Sequence, residues 1–447
     1  MIFQSNKTIK FEILFILWKE VIIVILMTIS GILIVIGTIY CLIKRYETRL
    51  VLFCSGLLMT FIGGNPMGTM QAFSHAMLES KLFESIIAVM GFAMVMKLTE
   101  CDKHLINLLI KPLRKAGTFL IPAAVLVTFF INISITSSAG CSAAVGAILI
   151  PLMIAAGIHP AIAGAAIYAG TYGAMFNPGY PQVALIVSVS DSNPVAVVAN
   201  HFYPLLLCGV IGAMSLWVVA KIHHEDKGYK LQGEIVKQTE DFHVKLSHAI
   251  VPLVPIVILV LGSMNIVPIF KPLSISHAMI IGVFCAFLIT RKNPQDISKE
   301  FWKGAGNSFG SVFGIIICAL VFVNGLTSIG LIQQLIQTMI NIPSVAKISS
   351  AIGPFLLGVM SGSGDAAAVA FNKAVTIHAA DFGILPMSMG SVVAITGALG
   401  RTMSPVAGGM IICATLAGVS PMETAKRNAP GMIIATLAIM VIMLFIE

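Results

Sequence analysis

Two ionisable side chains stand in stretches that are otherwise apolar. Asp365 lies in Gly362-Ser-Gly-Asp365-Ala-Ala-Ala, and Arg401 lies in Gly397-Ala-Leu-Gly-Arg-Thr-Met-Ser-Pro405. A charge at the centre of a membrane helix costs on the order of 3 kcal/mol on insertion scales, so each invites a functional reading. A guanidinium can hold a carboxylate through two parallel hydrogen bonds, which makes Arg401 a candidate ligand for an anionic substrate. Its alternative role is a buried pair with Asp365. Asp365 itself is a candidate proton carrier or cation ligand, or else a turn residue that accepts backbone N–H bonds. Asn177, Asn372 and Ser404 can donate to carboxylate oxygens, and so can the set Ser137, Ser138, Ser361 and Ser363. For each, the competing role is local capping of a broken helix.

These residues sit in a chain of 447 residues that is 57% hydrophobic and only 10% charged, with a mean hydropathy of +0.97. A soluble globular chain carries about 25% charged residues. Such a composition points to a lipid-facing surface and excludes a soluble enzyme, a disordered protein and a nucleic-acid binder. The formal charge of +8 comes from basic residues in short loops, the pattern that topology selection at a membrane produces. The length allows roughly ten to thirteen spans. The first long apolar run, 21–43, is too long for a signal sequence and is expected to be a retained helix. The eight cysteines are scattered without a Cys/His cluster and read as small apolar fillers. His75, His159, His201 and His378 stand near the ends of apolar runs and read as interfacial or internally satisfied side chains. No P-loop is present, and neither a cofactor nor a metal is called for.

Fourteen apolar runs follow one another between residues 21 and 446, several of them too short for an ordinary span and broken by Gly, Pro or Asn. Such runs are expected to be half-helices or re-entrant hairpins. The segment 221–247 holds ten charged side chains and divides the chain into 1–220 and 248–447. It reads as a hydrophilic loop between two transmembrane repeats.

The halves resemble each other. Ser137-Ser-Ala-Gly-Cys-Ser-Ala-Ala-Val145 aligns with Ser361-Gly-Ser-Gly-Asp-Ala-Ala-Ala-Val369, Ile158-His-Pro160 with Ile384-Leu-Pro386, and Gly173-Ala-Met-Phe-Asn-Pro178 with Gly400-Arg-Thr-Met-Ser-Pro405. Three matches in one order indicate a repeat. Discontinuous helices from two related halves can meet near the bilayer midplane, where their N-termini face an anion. One central polar site is therefore expected.

Ser361 to Asn372, followed by Gly397 to Ala407, resembles the anaerobic four-carbon dicarboxylate carriers of the DcuC type, and Asn132 to Pro181 fits the same pattern. The resemblance implies an all-α polytopic membrane protein of two inverted-topology repeats with re-entrant hairpins and discontinuous helices. It also implies a homodimer in a bacterial inner membrane, and succinate efflux or fumarate–succinate exchange by an elevator-like cycle. Coupling to H+ or Na+ would offset the movement of negative charge. The rival on the same scaffold is a carrier of another small organic anion or an amino acid. Gly362-Ser-Gly-Asp365 also matches the GxGD pattern of intramembrane aspartyl proteases. Those need a Tyr-Asp pair and a Pro-Ala-Leu stretch, and this sequence has neither.

Overall fold

The computed structural model describes residues 22, 25–42, 44, 46–78, 80–115, 117–229, 242–263 and 265–446. The middle of the hydrophilic loop, 230–241, lies outside the described residues. Every regular element among the described residues is helical. Six helices are long and apolar enough to cross a membrane, or eight if two sharply bent pairs each count as one span. Both figures are below the number that length alone suggests. Breaks shorten many apolar runs, and four more apolar helices fall short of a full span.

Helix starts follow local rules. Proline opens the helices Pro66–Ala76, Pro160–Ala169, Pro181–Ser190, Pro194–Asn200, Pro294–Ser308, Pro343–Ser361, Pro386–Thr402 and Pro421–Val441. Proline suits that position because the N–H it lacks would have no intrahelical partner there. Side chains of Asn65, Asn193, Asn293 and Ser420 cap four of these starts by accepting a backbone N–H bond.

Several helix ends and starts resemble each other between the two halves of the sequence. Pro181–Ser190 ends at left-handed Asp191 (φ 46°), and Asn193 then caps Pro194; Gly408–Ala417 ends at left-handed Gly418 (φ 70°), and Ser420 then caps Pro421. Asn65 before Pro66 is matched in the same way by Asn293 before Pro294. The closest packing repeats too. A Cβ added at Gly173 would stand 2.0 Å from the Phe129 carbonyl oxygen, and one at Gly400 would stand 2.0 Å from the Phe355 carbonyl oxygen. Only glycine lets backbone approach backbone so closely.

The helices group into two bodies, each built from both halves of the sequence, with one core cluster shared between them, in which Val369, Ala184 and Leu185 pack with Ile316, Ile317 and Phe322. In the first body, Gly314–Ser328 packs on Thr48–Ile62 and Pro66–Ala76, while Ser80–Thr99 packs on Ile275–Thr290 and Pro294–Ser308. The second body joins Leu120–Ser134, Ser138–Ala155, Pro160–Ala169 and Phe202–Ile222 to Pro343–Ser361, Gly364–Ala374, Pro386–Thr402, Gly408–Ala417 and Pro421–Val441. Two short helices connect the bodies, Cys101–Ile110 and Leu331–Asn341. They bury Ile106 and Ile110, and Ile332 and Met339, in the cores of the second body. The described start of the hydrophilic loop folds onto the second body as well. The Arg427 guanidinium donates to both Glu225 oxygens, at 2.8 and 2.5 Å, and the Tyr229 N–H donates to the Gly157 carbonyl at 2.9 Å.

Candidate functional site

Leu120–Ser134 stops at a three-residue turn before Ser138–Ala155 begins. Ser137 caps the new helix by accepting the Gly140 N–H at 3.2 Å. Two asparagines hold this tip against the neighbouring helix break. The Asn132 amide donates to the Ile135 carbonyl, and its oxygen accepts from the Ala174 N–H, both at 2.8 Å. The Asn177 amide donates to the Ile133 carbonyl, and its oxygen accepts from the Gly179 N–H, again both at 2.8 Å. Both ends of the Asn177 side chain are thus committed to backbone that the break leaves unpaired.

The second tip is built differently. Pro343–Ser361 ends at left-handed Gly362 (φ 69°). Ser363 then caps Gly364–Ala374 by accepting the Ala366 N–H at 3.3 Å. The Ser361 hydroxyl donates to the Leu357 carbonyl at 2.6 Å and accepts the Ser363 N–H at 3.2 Å. With Ser363 as the cap, Asp365 is left free of that duty. Its Oδ1 accepts from the Tyr180 hydroxyl at 3.0 Å and from the Gln182 amide at 3.2 Å.

The two tips meet at one cavity of about 220 Å³ on the boundary between the bodies. Thr136, Ser137, Ser138 and Asp365 supply its polar wall from the second body, and Tyr180 and Gln182 do so from the start of Pro181–Ser190, which packs on both bodies. Met90, Val312, Ile315 and Ile316 close it with apolar side chains from the first. Of the residues picked out in the sequence, this cavity gathers Ser137, Ser138 and Asp365. Ser361 instead borders a separate apolar cavity of about 130 Å³, against Leu52 and Phe322.

The remaining candidates pack behind the wall. Arg401 is 7% exposed; it donates to the Thr171 carbonyl at 2.8 Å and to the Tyr168 hydroxyl at 3.3 Å, with the Tyr168 ring 5.5 Å from its guanidinium carbon. No ion pair with Asp365 is present among the described residues, so the pairing alternative gives way to a bond across the two helix breaks. Asn372 accepts from the Thr376 hydroxyl at 2.7 Å. It also lies 3.5 Å from the Gly390 carbonyl, which ties its helix to Pro386–Thr402. Ser404 is buried, and its hydroxyl has no hydrogen-bond partner among the described residues. His201 is wholly buried and satisfied: its Nδ1 faces the Ser391 hydroxyl and its Nε2 the Met175 carbonyl, each at 3.0 Å.

Sequence reasoning missed Tyr180, Gln182 and Asn132. The first two follow the Asn177-Pro178-Gly break at once, and a polar pair opening a half-helix was the available signal.

Three comparisons bear on this arrangement. A chain from Haemophilus influenzae, named only as an uncharacterised transporter, is 39% identical over 279 residues, which is 60% of this chain and all of that one. The anaerobic C4-dicarboxylate transporter DcuC of Escherichia coli K12 is 26% identical over 441 residues, covering 92% of this chain and 95% of that one. Among solved structures, MtrF of Neisseria gonorrhoeae, described as illuminating a class of antimetabolite efflux pumps, aligns with a TM-score of 0.60 over 84% of this chain and 82% of its own. At 14% identity that likeness concerns the fold alone. The family model of the C4-dicarboxylate anaerobic carriers matches residues 20–447, and this multi-pass membrane protein belongs to that family, DcuC.

Proposed function

We propose that the protein is a secondary active transporter of four-carbon dicarboxylates in a bacterial inner membrane, working in succinate efflux or in fumarate–succinate exchange. One observation carries the reading. The cavity joins the tips from both halves of the sequence on one body and meets only apolar side chains of the other body. A carboxylate placed at Ser137 and Ser138 faces hydroxyls, the first free N–H groups of Ser138–Ala155 and the positive end of that helix. Arg401 adds a full positive charge from behind the wall. Asn177, Asn372, Ser361, Ser363 and Ser404 serve the site by holding the breaks and tips that shape it, and Asp365 is the coupling group for a proton or cation.

The division into two bodies supports an elevator-like cycle, in which the body bearing both tips carries the site past the apolar wall of Met90, Val312, Ile315 and Ile316. Such a wall makes no hydrogen bonds that would resist sliding. In this reading residues 1–220 and 248–447 form inverted repeats joined by the loop 221–247, and two copies pair as a homodimer.

Counterflow tests the function. Purified protein in liposomes preloaded with unlabelled succinate is given labelled succinate outside, with no ion gradient. Accumulation that fumarate and malate block supports a dicarboxylate carrier. A second reading, carriage of another small anion or an amino acid, draws on the fact that the one charged group in the cavity wall is an acid. Citrate, butyrate and arginine in the same assay decide it: a signal with one of them and none with succinate replaces the dicarboxylate.

A further inference from the structure

The cavity wall has opposite hydrogen-bonding character at its two ends. At the Ser137–Ser138 end it offers donors: two hydroxyls and the start of an 18-residue helix. At the other end the donors are already used. The Tyr180 hydroxyl and the Gln182 amide both donate to Asp365. What remains is acceptor. Asp365 Oδ2 takes no hydrogen bond among the described residues. Gln182 lines the cavity and is 4% exposed; its Oε1 is buried without a partner among the described residues. Exchanging the amide oxygen and nitrogen of Gln182 would set oxygen against oxygen at Asp365, so the free atom is the acceptor. A second carboxylate beside Asp365 would add like-charge repulsion, whereas a carboxyl O–H finds a free acceptor there.

We propose that this site takes its dicarboxylate as the monoprotonated acid, in one orientation. The carboxylate lies at Ser137 and Ser138, and the carboxyl O–H donates to Asp365, which Tyr180 and Gln182 hold in place as an acceptor. The ligand brings the missing donor itself. The proton then crosses with the substrate, and the translocated ligand carries one negative charge where the free dianion carries two. This rests on the dicarboxylate reading above and deepens it by naming the ionic form that binds.

The test uses ligands that separate donor from charge. Succinamate has a carboxylate and an amide donor at every pH, monomethyl succinate has a carboxylate and no donor, and succinate gains its donor only by protonation. Ligand-induced thermal stabilisation of the purified full-length protein in detergent reads binding. The elements packed on Gly364–Ala374 carry Tyr180, Arg401, Cys318 and Lys347, and the helix itself carries Lys373, with His378 and Asp381 in the turn that follows it. Succinamate separates their titration from that of the ligand, because it does not itself titrate at the donor end. The expected result is that succinamate binds at least tenfold more tightly than monomethyl succinate at pH 7.5, with little change down to pH 5.5. Succinate affinity should weaken about tenfold per pH unit once its second carboxyl is ionised. In the Asp365→Asn variant, which supplies its own donor, succinate should bind independently of pH. Equal binding of succinate at both ends of the pH range, with no preference for succinamate over the ester, overturns the inference and leaves the dicarboxylate reading standing. Silence with all three ligands at every pH removes that reading, and the inference with it.

Discussion

The Arg401 guanidinium, from a helix of the second half, lies 2.8 Å from the carbonyl oxygen of Thr171, just past the end of the helix Pro160–Ala169 in the first. A cation at that position meets the negative end of the helix and a carbonyl that the break leaves without an intrahelical partner. It also fastens the broken segment of one half to that of the other. The corresponding residue of the first half is Ala174, so the fastening runs one way.

Arg401→Ala is expected to abolish counterflow and to lower the unfolding temperature, because hydrogen bonds to charged groups contribute about 1.5–3 kcal/mol each. Arg401→Lys keeps the charge and loses the fork that spans Thr171 and Tyr168, and should transport at least tenfold more slowly. Wild-type rates in a folded Arg401→Lys protein would show that the charge alone is enough.

Gly173 and Gly400 face carbonyl oxygens of Phe129 and Phe355 so closely that any side chain must push helices apart. Gly173→Ala and Gly400→Ala should each destabilise the protein by about 1–3 kcal/mol. Equal losses at the two sites, read by thermal unfolding in detergent, would match their equal geometry. A neutral effect at either would mean that the helices there separate without cost.

His201 joins Ser391 to the carbonyl of Met175 in the core of the second body. His201→Leu strands both partners and should cost about 1–3 kcal/mol for each buried group left unpaired. His201→Gln, which can still donate at one end and accept at the other, should recover part of that stability.

Burial pushes the Glu225 carboxyl up, but the Arg427 guanidinium paired with it outweighs this and holds it below the usual carboxylate range. Its folded value is therefore below its unfolded one. The stabilisation is complete above the ordinary glutamate pKa of roughly 4 and is lost as pH falls through the folded value. Glu225→Gln should free the start of the hydrophilic loop, seen as faster proteolysis after Ile222 at neutral pH. Near pH 3 the variant and the wild type should be cut at similar rates.

Single-cysteine pairs across the cavity test the movement of one body past the other. Ile316→Cys with Val369→Cys joins the two walls without touching the polar residues of the site, and a cross-link between them should stop counterflow while reduction restores it. Full transport with the link intact would rule out sliding at this boundary.

Much of this protein is legible in its sequence. Lack of charge places it in a membrane, because so few polar groups cannot cover a water-facing surface. Proline starts, capping Asn and Ser residues, and the glycines at the breaks mark where helices begin and stop, since these choices are settled by backbone within a few residues. Gly173 and Gly400 stand out as matched residues in the sequence, and each packs against a phenylalanine carbonyl. What each polar residue at a break does was open to two readings, and only the tertiary structure chose between them. Asn177 and Arg401 are spent on backbone carbonyls, whereas Asp365 is relieved by the Ser363 cap and turns to Tyr180 and Gln182, more than 180 residues away. A broken helix leaves backbone groups that some side chain must satisfy. Which side chain does so depends on the angle at which distant elements pack, and no local pattern in the sequence encodes that angle.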